Sequence, residues 1–363
     1  GGRAALAAKG DRWALTGGVD AQRSRHRQRS AMGVDAYRAQ PWETDAEFQT
    51  RGVFAEGTWH AAERRRLVAG ARADRVDVQD RRATAGMMGM PNPTAGQTRR
   101  QTLPGGFVRF EHDVAAVPVT WYAGVGHTER MPDYWELFSA DMGPMGAPNA
   151  FAGLATEKTT QLDIGLQYRS TRLDAWVSAY AGRIDDYLLF SYMAGGMMGP
   201  MSAVSNVDAR VRGAEAGIGW RPGDGWTLGG TLAHAWGENR DSGGALPQMP
   251  PLEARLTAAY EGPRWSAGVL LRAVARQDRV AIDQGNVVGR DLGPSAGFAT
   301  LALNGGYRFN DRVKLIAGID NVFDRTYAEH LNLSGSADFG YPAEPVRIHE
   351  PGRTAWLKLH LAY

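Results

Sequence analysis

Segments whose side chains repeat with period two fill most of this chain, and the connections between them alternate strictly between short and long. In Gln161–Arg169, Leu162, Ile164, Leu166 and Tyr168 share one face, and Asp163, Gln167 and Arg169 share the other with Gly165. Leu173, Ala175, Val177 and Ala179 alternate with Asp174, Trp176, Ser178 and Tyr180; Val313, Leu315, Ala317 and Ile319 alternate with Lys314, Ile316, Gly318 and Asp320. The last segment sets Leu357, Leu359, Leu361 and Tyr363 against Lys358, His360 and Ala362. Period two is the repeat of a β-strand with one apolar face. A soluble sandwich alternates in the same way, so the connections decide. Short turns are expected near Lys9–Arg12, Ala61–Arg64, Ala115–Pro118, Arg169–Arg172, Arg221–Gly225, Glu261–Arg264 and Phe309–Arg312. Between them lie long Gly- and Pro-rich loops, near Arg25–Asp45, Arg82–Arg99, Pro132–Thr156, Ala194–Asn206, Asn239–Pro251, Ile282–Ala296 and Leu331–Arg353. Outer-membrane barrels have short periplasmic turns and long extracellular loops. Loops this long are uncommon in a compact soluble domain.

Aromatic residues mark a boundary at the short-turn end. Trp13, Tyr168, Trp220, Trp226, Tyr260, Trp265, Tyr307, Phe309 and Tyr363 stand beside short turns or at the chain end. Their apolar rings and polar tips suit a lipid–water interface; strand-end packing in a soluble β-protein is the competing reading. No run of residues approaches the ~20 apolar positions of a membrane helix, whereas a barrel strand needs only ~9–11 residues with one apolar face. Charged residues on the strands, among them Asp163, Arg169, Asp174, Glu215, Arg255 and Arg272, then read as a polar barrel interior. The fold expected is all-β: an antiparallel transmembrane β-barrel.

About fifteen strands are expected. The last runs down to the periplasm, so an odd total leaves the opening strand missing, and bacterial single-chain barrels have even strand numbers. The chain opens GGRAALAAKG, already patterned as a strand, with no secretion signal ahead of it. Residues 1–363 are therefore expected to be the C-terminal part of a larger barrel.

Twelve methionines fall in segments read as loops, and most are clustered. Met87, Met88 and Met90 lie in AGMMGMPNP, Met142 and Met145 in ADMGPMGAPN, and Met193, Met197, Met198 and Met201 in YMAGGMMGPMSA. Methionine ordinarily fills gaps in cores; here it gathers with Gly, Pro and Asn, which punctuate loops. Thioether sulfur favours Cu(I), while hard cations take oxygen. These nine residues are the candidate metal ligands. Hydrophobic packing of long loops over a barrel mouth, or an apolar ledge for a hydrophobic ligand, are the alternatives. Met32, Met131 and Met249 are isolated and read as packing.

Other chemistry has little support. The chain has no Cys, which removes disulfides and thiolate metal sites. Its net charge is +2, from 41 basic and 39 acidic residues, which is no nucleic-acid signature. The eight histidines are dispersed without a His-x(3)-His pair, so no zinc site emerges. His127 is the best of them as a metal contact, with His330 and His349 weaker, and His360 is read as facing the barrel interior. Asp185 and Asp186, at an expected strand end, lack a partnered His, and no catalytic motif is present, so the chain is not read as an enzyme.

Two segments resemble a known family. GIDNVFDRTYAEHLN (Gly318–Asn332) followed by EPGRTAWLKLHLAY (Glu350–Tyr363) resembles the C-terminal signature of TonB-dependent outer-membrane receptors, and GHTERMPDYWELF (Gly126–Phe138) resembles their mid-barrel motif. The resemblance implies a 22-stranded barrel closed by an N-terminal plug. About 15 of the 22 strands would be present here, with the plug domain and TonB-contacting box absent. Within the family, the Met-rich loops resemble the copper-receptor branch, the copper porins. The resemblance implies copper as the transported ligand rather than a catalytic cofactor. It also implies coupling to the TonB system through the plug, and an outer-membrane location in a Gram-negative bacterium. The branch's His-x-Met pair has no counterpart; Met88-Gly-Met90 occupies a comparable loop. Tyr363 resembles the terminal aromatic read by the barrel assembly machinery. A siderophore or other organic-ligand receptor, and a passive porin, are the alternative functions.

Overall fold

The structure is a computed structural model, described here over residues 1–29, 31, 33–85, 90–193, 201–335 and 346–362. Its first strands are β1 (Gly2–Lys9), β2 (Trp13–Gln28), β3 (Glu43–Ala62) and β4 (Arg65–Asp80), with the short helix α1 (Val34–Ala39) between β2 and β3. The loop after β4 holds a two-residue ladder, β5 (Thr84–Ala85) with β6 (Met90–Pro91). Then come β7 (Thr98–Asp113) and β8 (Val119–Arg130), helices α2 (Tyr134–Phe138) and α3 (Ala150–Gly153), and β9 (Glu157–Arg169). A long hairpin follows, β10 (Leu173–Met193) and β11 (Met201–Gly223), then β12 (Trp226–Asn239), β13 (Glu253–Glu261) and β14 (Trp265–Val274). The chain continues through β15 (Gln284–Gly285), β16 (Phe298–Asn310), β17 (Val313–Asp320) and β18 (Thr354–Leu361).

Fifteen of these strands pair with their sequence neighbours in one antiparallel sheet from β1 to β18, and β15 adds to the edge of β10. That matches the strand count and fold class expected from the alternation. Among the described residues β1 and β18 each pair on one edge only, so the sheet is not closed. Short and long connections alternate as the sequence predicts.

The two faces differ as a membrane barrel requires. Register places Val19 opposite Val53, Leu162 opposite Val125, Leu256 opposite Leu271 and Leu315 opposite Leu359. Most of these are exposed, with Leu162 and Ile164 each about half accessible and Leu359 at 57%. A continuous exposed apolar face on this scale has no place in water. The opposite face is ionic. Arg72 bridges Asp20 and Asp74 at 2.8 and 2.5 Å, Arg66 joins Glu111 and Asp113, and Arg272 joins Glu253 and Glu329. Tyr122, Tyr180 and Trp176 on this face lie over Gly165, Gly213 and Gly217, where a Cβ would collide with each ring.

The aromatic band at the short-turn end is built from cross-strand pairs. Trp13 stands opposite Trp59, Trp226 opposite Tyr260 with centroids 5.3 Å apart, and Trp265 opposite Tyr307 at 4.5 Å. Trp59 joins the band although the sequence reading passed over it; Tyr363 lies outside the described residues.

Several expectations are corrected. β2 runs to Gln28, and β11 begins at Met201, so Arg25 and Met201–Asn206 are strand rather than loop. The Gly and Pro that signalled a loop there fall in 194–200, and the ladder continues on either side. β14 ends at Val274, so the connection expected from Ile282 begins seven residues earlier, through a stretch without Gly or Pro. Asp185 and Asp186 sit inside β10, not at its end, at a bulge between Ile184 and Tyr187. Asp186 takes a φ of 61° there and pairs with Lys158.

Candidate functional site

The buried apolar cluster of this protein lies at the long-loop end. α2 and α3 fold against the concave face of the strand tops, where Leu137, Phe151 and Leu154 are each 1% exposed among Val76, Val78, Leu103, Leu188, Phe190 and Val204. Local sequence builds both helices. Asp133 caps α2 and Glu136 returns a bond to the Asp133 N–H, a capping box. Asn149 caps α3 through the Ala152 N–H. Arg130 at the end of β8 then grips Glu136 through two bonds, 2.7 and 2.9 Å, and also Glu157. The Arg, Pro and Glu-Leu-aromatic pattern of the mid-barrel motif is thus a clasp that seats α2 on the mouth.

Polar staples join the loops to one another. Asp80, fully buried, accepts bonds from Arg82, from Asn92 at 2.9 Å and from Thr94 at 2.7 Å. The Asn149 amide donates to the Thr94 hydroxyl at 2.8 Å, tying the loop after β4 to the loop after β8. Arg99 donates to the carbonyls of Phe151 and Leu154, both at 2.6 Å. The loop after β8 reaches β11 in turn. The Met142 N–H donates to the Ser202 carbonyl and the Val204 N–H to the Met142 carbonyl, both at 3.0 Å, and Asp141 accepts from the Ser202 N–H at 2.8 Å.

Among the described candidate methionines, this framework holds Met142 directly. Met142 lies alongside the start of β11. Met193 and Met201 are direct cross-strand partners at the top of the β10–β11 hairpin, a relation that puts side chains within reach of each other. Both stand at strand ends, and Met90 begins β6, so these three are not in irregular loop as expected. Met90 is well exposed on the stapled loop two residues before Asn92, and Met145 is fully exposed. Met87, Met88, Met197 and Met198 lie outside the described residues. Met131, read as packing, does pack against the apolar cluster.

His127 is not part of this assembly. It shares the outward face of Val125 and Leu162, with its Nδ1 2.8 Å from the Thr160 hydroxyl. His360 is paired in register with Lys314, on the face opposite Leu359. His349 is exposed. His330 is buried, its Nδ1 3.0 Å from the Ser295 hydroxyl and its Nε2 3.6 Å from Asp291. Burial lowers its pKa, and Asp291 only partly offsets that. Among the described residues no three His, Asp or Glu side chains gather as a metal-ligand set.

Beneath α2 lies a cavity of about 440 Å³ lined by His26, Phe48, Met131, Tyr134 and Trp135. His26 stacks on Tyr134 with centroids 4.1 Å apart, and the Tyr134 hydroxyl donates to Asp45 at 2.7 Å. Burial, then the Asp45 carboxylate, hold the Tyr134 phenol well above its ordinary pKa. Sequence reasoning missed the residues that hold the loops, Asp80, Asn92, Thr94, Arg99 and Asn149. Asn149 ahead of AFAG was available as a capping signal; the others bond across sequence gaps that carry no local pattern.

The family described as TonB dependent receptor-like, beta-barrel matches residues 2–322. No curated protein sequence matches the chain. Among solved structures, the copper transporter OprC is 50% identical, with a TM-score of 0.93 over 99% of this chain and 56% of that one. The FrpB iron transporter from Neisseria meningitidis is 16% identical, with a TM-score of 0.70 over 98% of this chain and 54% of that one. A mutant of the ferric enterobactin receptor PfeA from Pseudomonas aeruginosa is 17% identical, with a TM-score of 0.63 over 98% of this chain and 60% of that one. The last two are alike in fold alone. The chain spans less than two thirds of each.

Proposed function

The chain belongs to the TonB-dependent receptor β-barrel family, and from that premise we propose that it serves copper uptake at the outer membrane of a Gram-negative bacterium. The observation that carries the reading is the 50% identity with a copper transporter, against 16–17% for the iron transporter and the ferric enterobactin receptor of the same fold. We propose further that residues 1–363 are the C-terminal part of such a barrel. The unpaired edges of β1 and β18 support this, because an open sheet edge in lipid leaves backbone groups without partners at several kcal/mol each. The remaining strands and a plug that engages the TonB system would complete the receptor; lipid and the assembly machinery are its other partners. Its role is capture and passage, not catalysis.

The ligands proposed are Met87, Met88, Met90, Met142, Met145, Met193, Met197, Met198 and Met201. Cu(I) is a soft ion and accepts thioether sulfur. Supporting the reading, a hydrogen bond ties the loop that carries Met90 to the loop that carries Met142, and backbone bonds hold Met142 against the strand of Met201, whose partner is Met193. A thioether carries no proton at any relevant pH, so capture should persist under mild acid, where sites built on His or Cys weaken.

The test is Cu(I) titration of the full-length receptor at neutral and mildly acidic pH. It is repeated with Met87→Leu/Met88→Leu/Met90→Leu and with Met142→Leu/Met193→Leu/Met201→Leu. Leucine keeps the apolar volume and removes the sulfur. Loss of binding in a folded variant is expected, with little change between the two pH values. Unchanged affinity in a variant removes those residues from the site. A parent that binds no Cu(I) leaves an organic-ligand receptor as the better reading.

A further inference from the structure

The outward face of the sheet carries an isolated positive pair at one height. On β2, β3, β4 and β7, the residues that share the face of Val19 and Val53 include Ala21, Arg51, Ala73, Arg75 and Thr102. Arg51 and Arg75 stand directly opposite each other, and both are exposed. Like charges in that relation repel. Of the nearby acids, Asp20 and Asp74 hold Arg72 on the concave face, and Asp77, on the outward face two residues from Arg75, pairs with Arg100. Among the described residues neither Arg51 nor Arg75 is in an ion pair. Just beyond them Arg23, Arg25 and Arg81 converge on the single carboxylate of Glu47, which leaves that edge positive as well.

An apolar groove of about 800 Å³ runs into this pair. Val19, Ala21, Val53 and Ala73 line it, and the small alanines make the depression. Arg51 and Arg75 lie eight residues along their strands from Trp59 and Leu67, partners at the aromatic end. At ~3.3 Å per residue and a tilt of ~40°, that is roughly 20 Å up an apolar band ~25 Å tall. Flexible arginines there reach the head-group level.

We propose that this face binds a phosphate-bearing lipid of the surrounding leaflet, with its phosphate between Arg51 and Arg75 and an acyl chain along Val19, Val53 and Ala73. Paired guanidinium forks match phosphate oxygens, and the groove excludes a purely hydrophilic anion as the natural occupant. The inference rests on the membrane placement proposed above and is independent of copper.

Detergent-purified full-length receptor should be titrated by native mass spectrometry with phosphatidylglycerol, with phosphatidylcholine, and with phosphatidylglycerol in the presence of inorganic phosphate. The parent should prefer phosphatidylglycerol by about tenfold. Arg51→Gln/Arg75→Gln should abolish the preference, and Ala73→Leu, which fills the groove, should weaken retention of phosphatidylglycerol. Heat-modifiable gel mobility checks folding, and Cu(I) binding should stay unchanged in both variants. A parent without preference, or an arginine variant that keeps it, overturns the proposal. Full displacement by inorganic phosphate overturns the lipid in favour of a free-anion site. Should the arginine variant not fold, unaltered retention in Ala73→Leu is sufficient refutation.

Discussion

Replacing Ile164 by arginine puts the membrane-facing register to its hardest test. Ile164 sits between Ala123 on β8 and Ala179 on β10, flanked along β9 by Leu162 and Leu166, and all point outward. It lies four residues from Tyr168, at the short-turn end of β9 where the aromatic band stands. Four residues at ~3.3 Å and a tilt of ~40° make roughly 10 Å of height, close to the middle of a band ~25 Å tall. A basic side chain at that depth costs about 2–4 kcal/mol, or about a 30- to 700-fold fall in the folded-to-unfolded ratio at 1.4 kcal/mol per tenfold. The control is Ser178→Arg, on the concave face opposite Gly165 and Glu215. There the guanidinium meets water and a carboxylate, and a change of at most about 0.5 kcal/mol is expected. Both variants of the full-length receptor should be refolded into phospholipid vesicles across a urea series, followed by tryptophan fluorescence and heat-modifiable mobility. Equal tolerance of the two substitutions, or a worse outcome for Ser178→Arg, would show that the exposed apolar face is not the lipid face.

Two further outcomes probe the loop end. Asp80→Ala strips the buried partner from Arg82, Asn92 and Thr94. Arg82 is mostly enclosed, at 13% exposed, and losing its carboxylate partner costs up to about 3 kcal/mol, so the loop after β4 should become the first site of limited proteolysis, and Cu(I) affinity should fall. If cleavage and affinity match the parent, the staple does not hold that loop. His330 gives a pH signature. Its folded pKa lies below the unfolded value, so the unfolded or opened loop binds the proton more tightly. The contribution of His330 to loop stability is therefore complete above about pH 6.5 and declines as the pH falls towards the lowered folded value. Hydrogen exchange of residues 281–295 should accelerate in that window, and His330→Gln should remove the acceleration; an identical pH response in the variant would assign it elsewhere.

The fold was legible because each strand states its own face. Alternation within Gln161–Arg169 needs only neighbouring residues, and a one-residue slip would turn Leu162, Ile164 and Leu166 to the ionic side. Strand ends were less legible. The ladder over Met201–Asn206 lies in a stretch read as loop from the Gly and Pro just ahead of it, because pairing with Leu188–Met193 in the other arm of the hairpin stabilises it whatever the local preference. α2 and α3 were passed over for another reason: at five and four residues they are too short to stand alone and form only with a cap and an apolar bed. Their caps, Asp133 and Asn149, are in the sequence; the bed, from Val76 to Val204, is assembled across the sheet.

The same distinction governs the candidate site. Composition identifies the methionines, since nine of the twelve fall in three short runs, but composition cannot say that the runs meet. The proposed convergence rests on bonds between residues far apart in sequence, Asn149 to Thr94 and Met142 to Ser202, which link loops whose roots the sheet sets on neighbouring strands. The soft-metal surface proposed here would then belong to the linked loops together rather than to any one of them. Loosening a staple should weaken copper capture even though no sulfur atom has been removed, whereas a methionine substitution should weaken it with every staple in place. Comparing Asp80→Ala with the Met87, Met88 and Met90 variant separates the two: the first should change both protease sensitivity and affinity, the second affinity alone.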